Sequence, residues 1–283
     1  MTPEQYCQQK AANSGSSFYY SFLFLPAEKR KAITALYAFC RVVDDVVDDC
    51  TDPTVAESKL NWWRQEIERM YEGNAEHPVT QSLYTALNQF DLHKDYFNEI
   101  IDGMQMDLHI SKYNNFHDLS LYCHRVAGVV GLLAAEIFGT SHRDTLKFAE
   151  NLGMAMQLTN IIRDVREDAF LGRVYLPEED LQSFNVKLSD LHHPVTTDAV
   201  KSLLAFQVNR AEEYYQKAFS LLPKQDRYHQ LSSLIMAEIY RTLLKEIKDD
   251  GYQVLEHRVK LTPLRKLWIA WKTYRREKKI SKT

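Results

Sequence analysis

Apolar residues return every three or four positions along almost the whole chain, and punctuation between the periodic stretches is sparse. The breaks that stand out are residues 50–54 (CTDPT), 73–78 (GNAEHP), 139–142 (GTSH), 170–177 (FLGRVYLP), 189–197 and 249–252 (DDGY). Between them lie segments of about 12 to 25 residues, the length of helices and too long for strands. No segment keeps the strict alternation of a half-buried strand. No repeat, low-complexity tract or Gly/Ser/Pro-rich linker divides the chain. The pattern predicts one all-α domain over residues 1–283.

Composition supports this reading. A chain of 283 residues can bury a full core, and nine glycines with eight prolines, about half of average usage, leave few places to turn. A charged fraction of 26% beside 45% hydrophobic residues excludes a disordered or collagen-like chain. Cys7, Cys40, Cys50 and Cys123 form no CxxC pair and are too few for a disulfide scaffold, so a reducing cytoplasm is the expected compartment. The opening MTPEQYCQQK lacks the charged-then-apolar pattern of a secretory signal. The longest uninterrupted apolar stretch, residues 126–135, falls short of the about 20 residues a bilayer requires, and no spanning segment is expected.

Two helical segments carry unusual acidic patterns. In residues 33–49, ITALYAFCRVVDDVVDD, Asp44 and Asp48 stand four apart on an otherwise apolar helix, with Asp45 and Asp49 repeating the spacing beside them. That spacing corresponds to about 6 Å of rise and about 40° of rotation, so each pair shares a face. Like charges so placed repel, which calls for positive charge between them or for a solvated acidic helix end. In residues 151–168, NLGMAMQLTNIIRDVRED, polar side chains recur at Gln157, Asn160, Asp164 and Asp168, a single stripe down a helix apolar on its other faces. A buried carboxylate requires a counter-charge. Two such helices predict facing carboxylates around hard cations. Oxygen ligands without His or Cys at ligand spacing suit Mg²⁺ better than zinc, and Mg²⁺ held by few carboxylates completes its shell with phosphate oxygens and water. The expected substrate is a diphosphate.

Arg41 lies one turn before Asp44, and Arg163 adjoins Asp164; each suits diphosphate oxygens or a simple intrahelical ion pair. Phe18, Tyr19, Tyr20, Phe22, Phe24, Tyr37, Phe39, residues 126–133 and Tyr240 supply apolar and aromatic surface for core packing or for a deep slot. A diphosphate head beside such a slot describes an isoprenoid chain.

With these residues in view, the chain resembles the squalene and phytoene synthase family of head-to-head prenyl diphosphate condensing enzymes along nearly its whole length. The matching blocks are residues 14–26 (SGSSFYYSFLFLP), 37–49 (YAFCRVVDDVVDD), 122–131 (YCHRVAGVVG) and 157–177 (QLTNIIRDVREDAFLGRVYLP). Residues 6–26, the KLNWWRQEIERM block and the RKLWIA ending look most like bacterial presqualene diphosphate synthases of hopanoid pathways. The resemblance implies an all-α isoprenoid synthase bundle with a central apolar cavity. Asp44 and Asp48 would form the first aspartate motif, with Asp45 and Asp49 as the alternative register. Asn160, Asp164 and Asp168 would form the second, and together the motifs would hold up to three Mg²⁺.

The resemblance further implies diphosphate or substrate binding by Tyr37, Arg41, Arg163, Tyr240 and Arg258, with Phe18 and Gln157 on the substrate side. Ser14 and Ser17 match N-terminal binding positions, although family members often carry His where Asn13 or Ser14 falls here. Tyr122 matches a tyrosine near the reacting centre, for positioning or proton transfer, or else as a hydrogen-bonded core residue. The implied reaction joins two farnesyl diphosphates to presqualene diphosphate. Squalene, dehydrosqualene or phytoene are the alternative products, and a catalytically silent lipid-binding or assembly scaffold is the non-enzyme alternative. NADPH is not expected for the presqualene step.

Charge is unevenly spread. The net −3 divides into +8 over residues 260–283 and −11 over the remainder. In this tail Leu264, Leu267, Trp268 and Trp271 fall on one helical stripe, flanked or opposed by Arg265, Lys266, Lys272, Arg276 and Lys279. Such a helix suits an anionic membrane surface, docking on the core through its Trp face, or both; a frayed basic tail is the third reading. Peripheral contact with the inner face of the membrane would bring a cytoplasmic enzyme to lipid-soluble prenyl chains. Basic residues confined to one end of an acidic protein do not suit nucleic-acid binding.

Overall fold

A computed structural model describes residues 1–13, 18–50 and 52–281, Tyr19 by its backbone alone. Helices follow one another along the chain: α1 (Pro3–Asn13), α2 (Phe18–Phe22), α3 (Ala27–Asp49), α4 (Pro53–Tyr71), α5 (Pro78–Leu87), α6 (Lys94–His109), α7 (Phe116–Cys123), α8 (Val129–Phe138), α9 (Arg143–Phe170), α10 (Glu178–Ser183), α11 (Asp198–Leu221), α12 (Leu231–Asp249) and α13 (Pro263–Ile280). A π-helical turn over His124–Gly128 joins α7 to α8, and a 3₁₀ turn over Leu188–His192 precedes α11. The described residues contain no strand, only one parallel bridge between Lys112 and Val174.

The punctuated breaks fall between helices as the sequence predicts, and local chemistry explains several of them. Asp52, His77 and Thr262 each cap a helix whose first residue is proline, accepting from the backbone N–H of Thr54, Val79 and Arg265. Further breaks at residues 88–93, 110–115 and 222–230 carry little turn signal. In the second of these, tertiary pairing holds the backbone: Val174 N donates to Ser111 O at 2.9 Å and Glu178 N to Tyr113 O at 2.9 Å.

The helical run Phe116–Phe138 is 23 residues, longer than its uninterrupted apolar stretch, and by length and composition it could cross a membrane. Half of its apolar window is buried inside this fold. Tyr122, Val129, Leu133 and Ile137 are buried, and Arg125 in mid-run pairs with Glu99 at 2.9 Å. The run is a core helix here.

Its crossing with α9 is unusually close. A Cβ on Gly153 would strike the Ala127 carbonyl, and one on Gly131 the Ala149 carbonyl. Backbones can approach so closely only where no side chain intervenes. Two apolar clusters result, one centred on α3 to α6 and one on α9, α11 and α12, with Phe18 and Val126 packed against both.

The tail docks, but not through its tryptophans. Ile269, Ala270, Thr273 and Glu277 form the buried face of α13. Trp268 and Trp271 remain 56% and 50% exposed on the opposite face. The reason is tertiary: buried Glu277 takes Arg227, from the segment before α12, at 2.5 Å, and beside it Arg276 takes Glu238 of α12 at 3.0 Å.

Candidate active site

The last turns of α3 carry the first acidic set. Arg41 Nη1 lies 2.5 Å from Asp44 Oδ2 and its Nη2 lies 2.8 Å from Asp45 Oδ1, the one-turn spacing on a helix. Asp45 is also held by Lys10 of α1 at 2.6 Å. Asp48 instead takes Arg173 at 2.9 Å, from the segment that follows α9. Asp49 is exposed. Asp48 thus reaches the segment that follows α9 and Asp44 shares the field of Asp48 and of Asp107 on α6, while Asp45 turns toward α1.

On α9 the second set answers from the other side. Asp164 is bound by Arg163 through two hydrogen bonds and by Arg258 Nε at 2.7 Å. Arg258 stands in the loop after α12, which Arg166 tethers to α9 through the Leu255 carbonyl at 2.6 Å. Asp168, one turn on from Asp164, has no hydrogen bond or ion pair to its carboxylate among the described residues. Asn160 Nδ2 donates to Gln157 Oε1 at 3.3 Å, but Asn160 Oδ1 is buried without a partner.

Electrostatics bind the two sets into one field. Burial and the neighbouring Asp48 push the Asp44 carboxyl up to about 7, against the pull of Arg41. Burial and Asp164 push Asp168 up to about 7 as well. Burial also raises Asp164, but the hydrogen bonds from Arg163 and Arg258 outweigh it and hold that carboxyl below its ordinary value. The site therefore mixes neutralised and poorly neutralised carboxylates. No three His, Cys, Asp or Glu side chains converge as a metal cluster among the described residues. An all-oxygen donor set, unanswered negative charge and an orphaned buried amide oxygen nonetheless suit a hard divalent cation.

Between the two motifs stands a carboxylate that the sequence reading missed. Asp107, near the end of α6, accepts from Tyr122 at 2.9 Å and from Tyr175 at 2.8 Å. Burial pushes it up to about 6, with the two phenols and Arg173 pulling it down. It registers in the fields of both Asp44 and Asp168. Tyr175 and Arg173 lay within the quoted signature, but Asp107 is a lone aspartate in MQMDLH with no local signal.

Below the acidic mouth lies an apolar cavity of about 180 Å³. Tyr37, Cys40, Gln157, Asn160 and Tyr240 line its polar end, whereas Phe22, Ile33, Phe138, Ala149 and Ser232 line the other. The four main walls agree on this axis, since α3, α9 and α12 run toward the acidic end and α8 runs away from it. Phe18 also lines the slot, its ring centroid 5.4 Å from that of Tyr37. Tyr240 is buried, which raises its phenol, while Arg163 and Asn160 beside it pull it back.

Several predicted residues fall elsewhere. Phe39 packs against Trp63 and Phe97, and Phe24 stacks on Tyr274. Tyr122 is buried but is not part of the cavity lining. Ser14 and Ser17 lie outside the described residues. A wider polar groove of about 560 Å³ between α1, α3 and α5 shares no residue with this site.

An all-α bundle with acidic helices facing across the mouth of an apolar cavity has the isoprenoid synthase fold. A dehydrosqualene synthase crystal structure superposes with a TM-score of 0.86 at 29% identity, covering 98% of this chain and 97% of that one. The squalene synthase HpnC from Alicyclobacillus acidocaldarius gives 0.77 at 28% identity, covering 89% and 95%. In sequence, the 15-cis-phytoene synthase of Synechococcus elongatus is 35% identical over 276 residues, 92% of this chain and 89% of that protein. The phytoene synthase of Mycobacterium tuberculosis is 35% identical over 257 residues, covering 90% and 84%. The squalene/phytoene synthase family model matches residues 11–265. The chain belongs to the squalene/phytoene synthase family, prenyltransferases of head-to-head condensation.

Proposed function

We propose that the protein joins two farnesyl diphosphates head to head to give presqualene diphosphate and free diphosphate, with Mg²⁺, in squalene or hopanoid biosynthesis. The carrying observation is that Asp44 on α3 and Asp168 on α9 both register the charge of Asp107 between them, while Arg173 pairs with Asp48 and pulls on Asp168, beside an apolar slot that Asn160 lines. Asp44, Asp48, Asn160, Asp164 and Asp168 would hold Mg²⁺, which when bound neutralises the leaving diphosphate and weakens its ester bond.

The chain's own residues do the remainder. Arg41, Arg163 and Arg258, now paired with Asp44 and Asp164, supply charge-assisted donors for diphosphate oxygens. As the C1–O bond of one farnesyl diphosphate breaks, the electron pair leaves with diphosphate and an allylic cation remains. The apolar walls at Phe18, Phe22, Val126, Val130 and Met156 exclude the water that would quench it. They also hold the C2=C3 double bond of the second substrate against C1, where proximity lowers the barrier. The resulting tertiary cation loses a proton to the released diphosphate, and the electron pair of that C–H bond closes the cyclopropane. Tyr122 acts through Asp107, orienting that carboxylate at the edge of the site.

The far end of the slot bears the bulky side chains Phe22, Ile33 and Phe138, which favours a C15 over a C20 chain. The names of the phytoene synthase relatives favour the second reading, condensation of two geranylgeranyl diphosphates to phytoene. The intact aspartates and arginines argue against a silent scaffold.

The test is incubation of purified protein with Mg²⁺ and either farnesyl or geranylgeranyl diphosphate, with and without NADPH, followed by dephosphorylation and mass spectrometry. Presqualene alcohol from the C15 substrate in both samples supports the proposal. Squalene formed only with NADPH, dehydrosqualene, or phytoene from the C20 substrate reassigns the product within the family.

A further inference from the structure

Among the described residues nothing covers the outer face of α13. With the buried residues Ile269, Ala270, Thr273 and Glu277 defining its inner side, a rotation of about 100° per residue places Leu264, Trp268, Trp271 and Arg275 along the diametrically opposite crest. Leu264 is 79% exposed, and Leu267, Trp268 and Trp271 are exposed beside it. Four large apolar side chains on one outward crest are costly in water and mark an interaction surface.

Basic side chains edge this crest. Lys272 Nζ lies 4.9 Å from the Trp268 ring centroid and the Arg275 guanidinium 5.1 Å from that of Trp271. Arg265 and Arg276 follow on one flank and Lys278 on the other, in a segment of net +8 on an otherwise acidic protein. Arg265 and Arg276 already answer Glu246 and Glu238, so Lys272 and Arg275 are the cations best placed to meet an external anion.

We propose that α13 docks the enzyme on an anionic lipid surface, with Leu264, Trp268 and Trp271 entering the headgroup boundary and Lys272 and Arg275 meeting lipid phosphates. Tryptophan is the side chain that best occupies such a boundary, and each basic residue near an anionic surface adds attraction that salt screens. A second copy of the chain fits less well, because it would oppose two strongly basic crests. Location gives the surface a use. The inner side of α13 rests on α12 and α2, with Phe24 stacked on Tyr274 at a centroid distance of 4.7 Å. Ser21 and Phe22 of α2, and Ser232, Met236 and Tyr240 of α12, line the prenyl cavity. The lipid-facing crest thus lies one helix layer from the slot.

Flotation of the full-length protein with phosphatidylcholine vesicles, with and without phosphatidylglycerol, tests this directly. The wild type should float with the anionic vesicles, less so at high salt, and its tryptophan emission should shift to the blue. W268A/W271A and K272Q/R275Q should each weaken partition by roughly tenfold or more. Both variants should keep helical content and melting temperature, because neither pair contacts the core. Wild-type binding by both folded variants, or equal binding to neutral and anionic vesicles, would overturn the proposal. A dimer in sedimentation equilibrium that W268A/W271A dissolves would also overturn it, assigning the crest to self-association.

Discussion

The Tyr122 hydroxyl donates to Asp107 Oδ2 at 2.9 Å, fastening α7 to the last turn of α6 between the two aspartate motifs. Tyr122→Phe removes that donor while Tyr175 retains the other. Asp107 then loses stabilisation of its charged form, and its carboxyl, already pushed up to about 6, should rise further. We expect kcat to fall by about 10- to 100-fold with KM within about twofold, and the acid limb of the pH–rate profile to move to higher pH. Steady-state kinetics from acid to neutral pH check this; an unchanged rate and limb would leave Tyr122 a core residue only.

Asp168 is a carboxylate held against its neighbours. Burial and Asp164 push it up to about 7 against the pull of Arg173, and no ion pair or hydrogen bond holds its carboxylate among the described residues. A carboxyl whose folded pKa is raised destabilises the fold most when fully ionised, so the penalty is greatest above about 7 and fades on acidification. Asp168→Asn should therefore raise the melting temperature at alkaline pH, with the gain shrinking as pH falls. Turnover should drop at least about 100-fold. Scanning calorimetry beside the product assay reads both effects, and a loss of stability would mean that Asp168 has a partner in the folded protein.

Glu66 illustrates the opposite case, far from the cavity. Fully buried in α4, it accepts from the backbone of Glu76 and His77 at 2.8 Å each, from Thr80, and from Arg69 at 2.8 Å. Burial would raise it, but these donors hold its carboxyl below the ordinary value. Its stabilisation is complete above the unfolded pKa of about 4.3 and is lost as pH falls through the lower folded value. Glu66→Gln should cost about 1.5 to 3 kcal/mol near neutrality. Thermal melts should show the gap from wild type narrowing below about pH 4.

The crossing of the π-helical turn before α8 with α9 is equally testable. Gly153→Ala would drive a methyl against the Ala127 carbonyl, which has backbone on every side and cannot swing away. We expect a loss of about 1 to 3 kcal/mol, typical of overpacking. Because Ala127 and Gly153 both line the cavity, product formation should fall as well. A neutral change in both measurements would mean that the helices slide apart freely.

Sequence alone determined the class of fold, because apolar positions spaced three or four apart can be buried together only on helices, and sparse punctuation forces those helices to be long. It also determined both aspartate stripes and their arginines, since spacing of four along α3 and α9 places side chains on one face whatever the helices pack against. What a helix faces is a different matter. Which partners the doubled aspartates take was not legible: only the packed fold gives Asp45 to Lys10 and Asp48 to Arg173. Asp107 joined the site through tyrosines 15 and 68 residues away. In α13 the amphipathic stripe was legible, yet the buried side is the weaker apolar face: Ile269, Ala270 and Thr273 are covered, and Arg227, from the segment before α12, pairs Glu277. Periodicity specifies which residues share a face; the surface across the gap decides which face is covered.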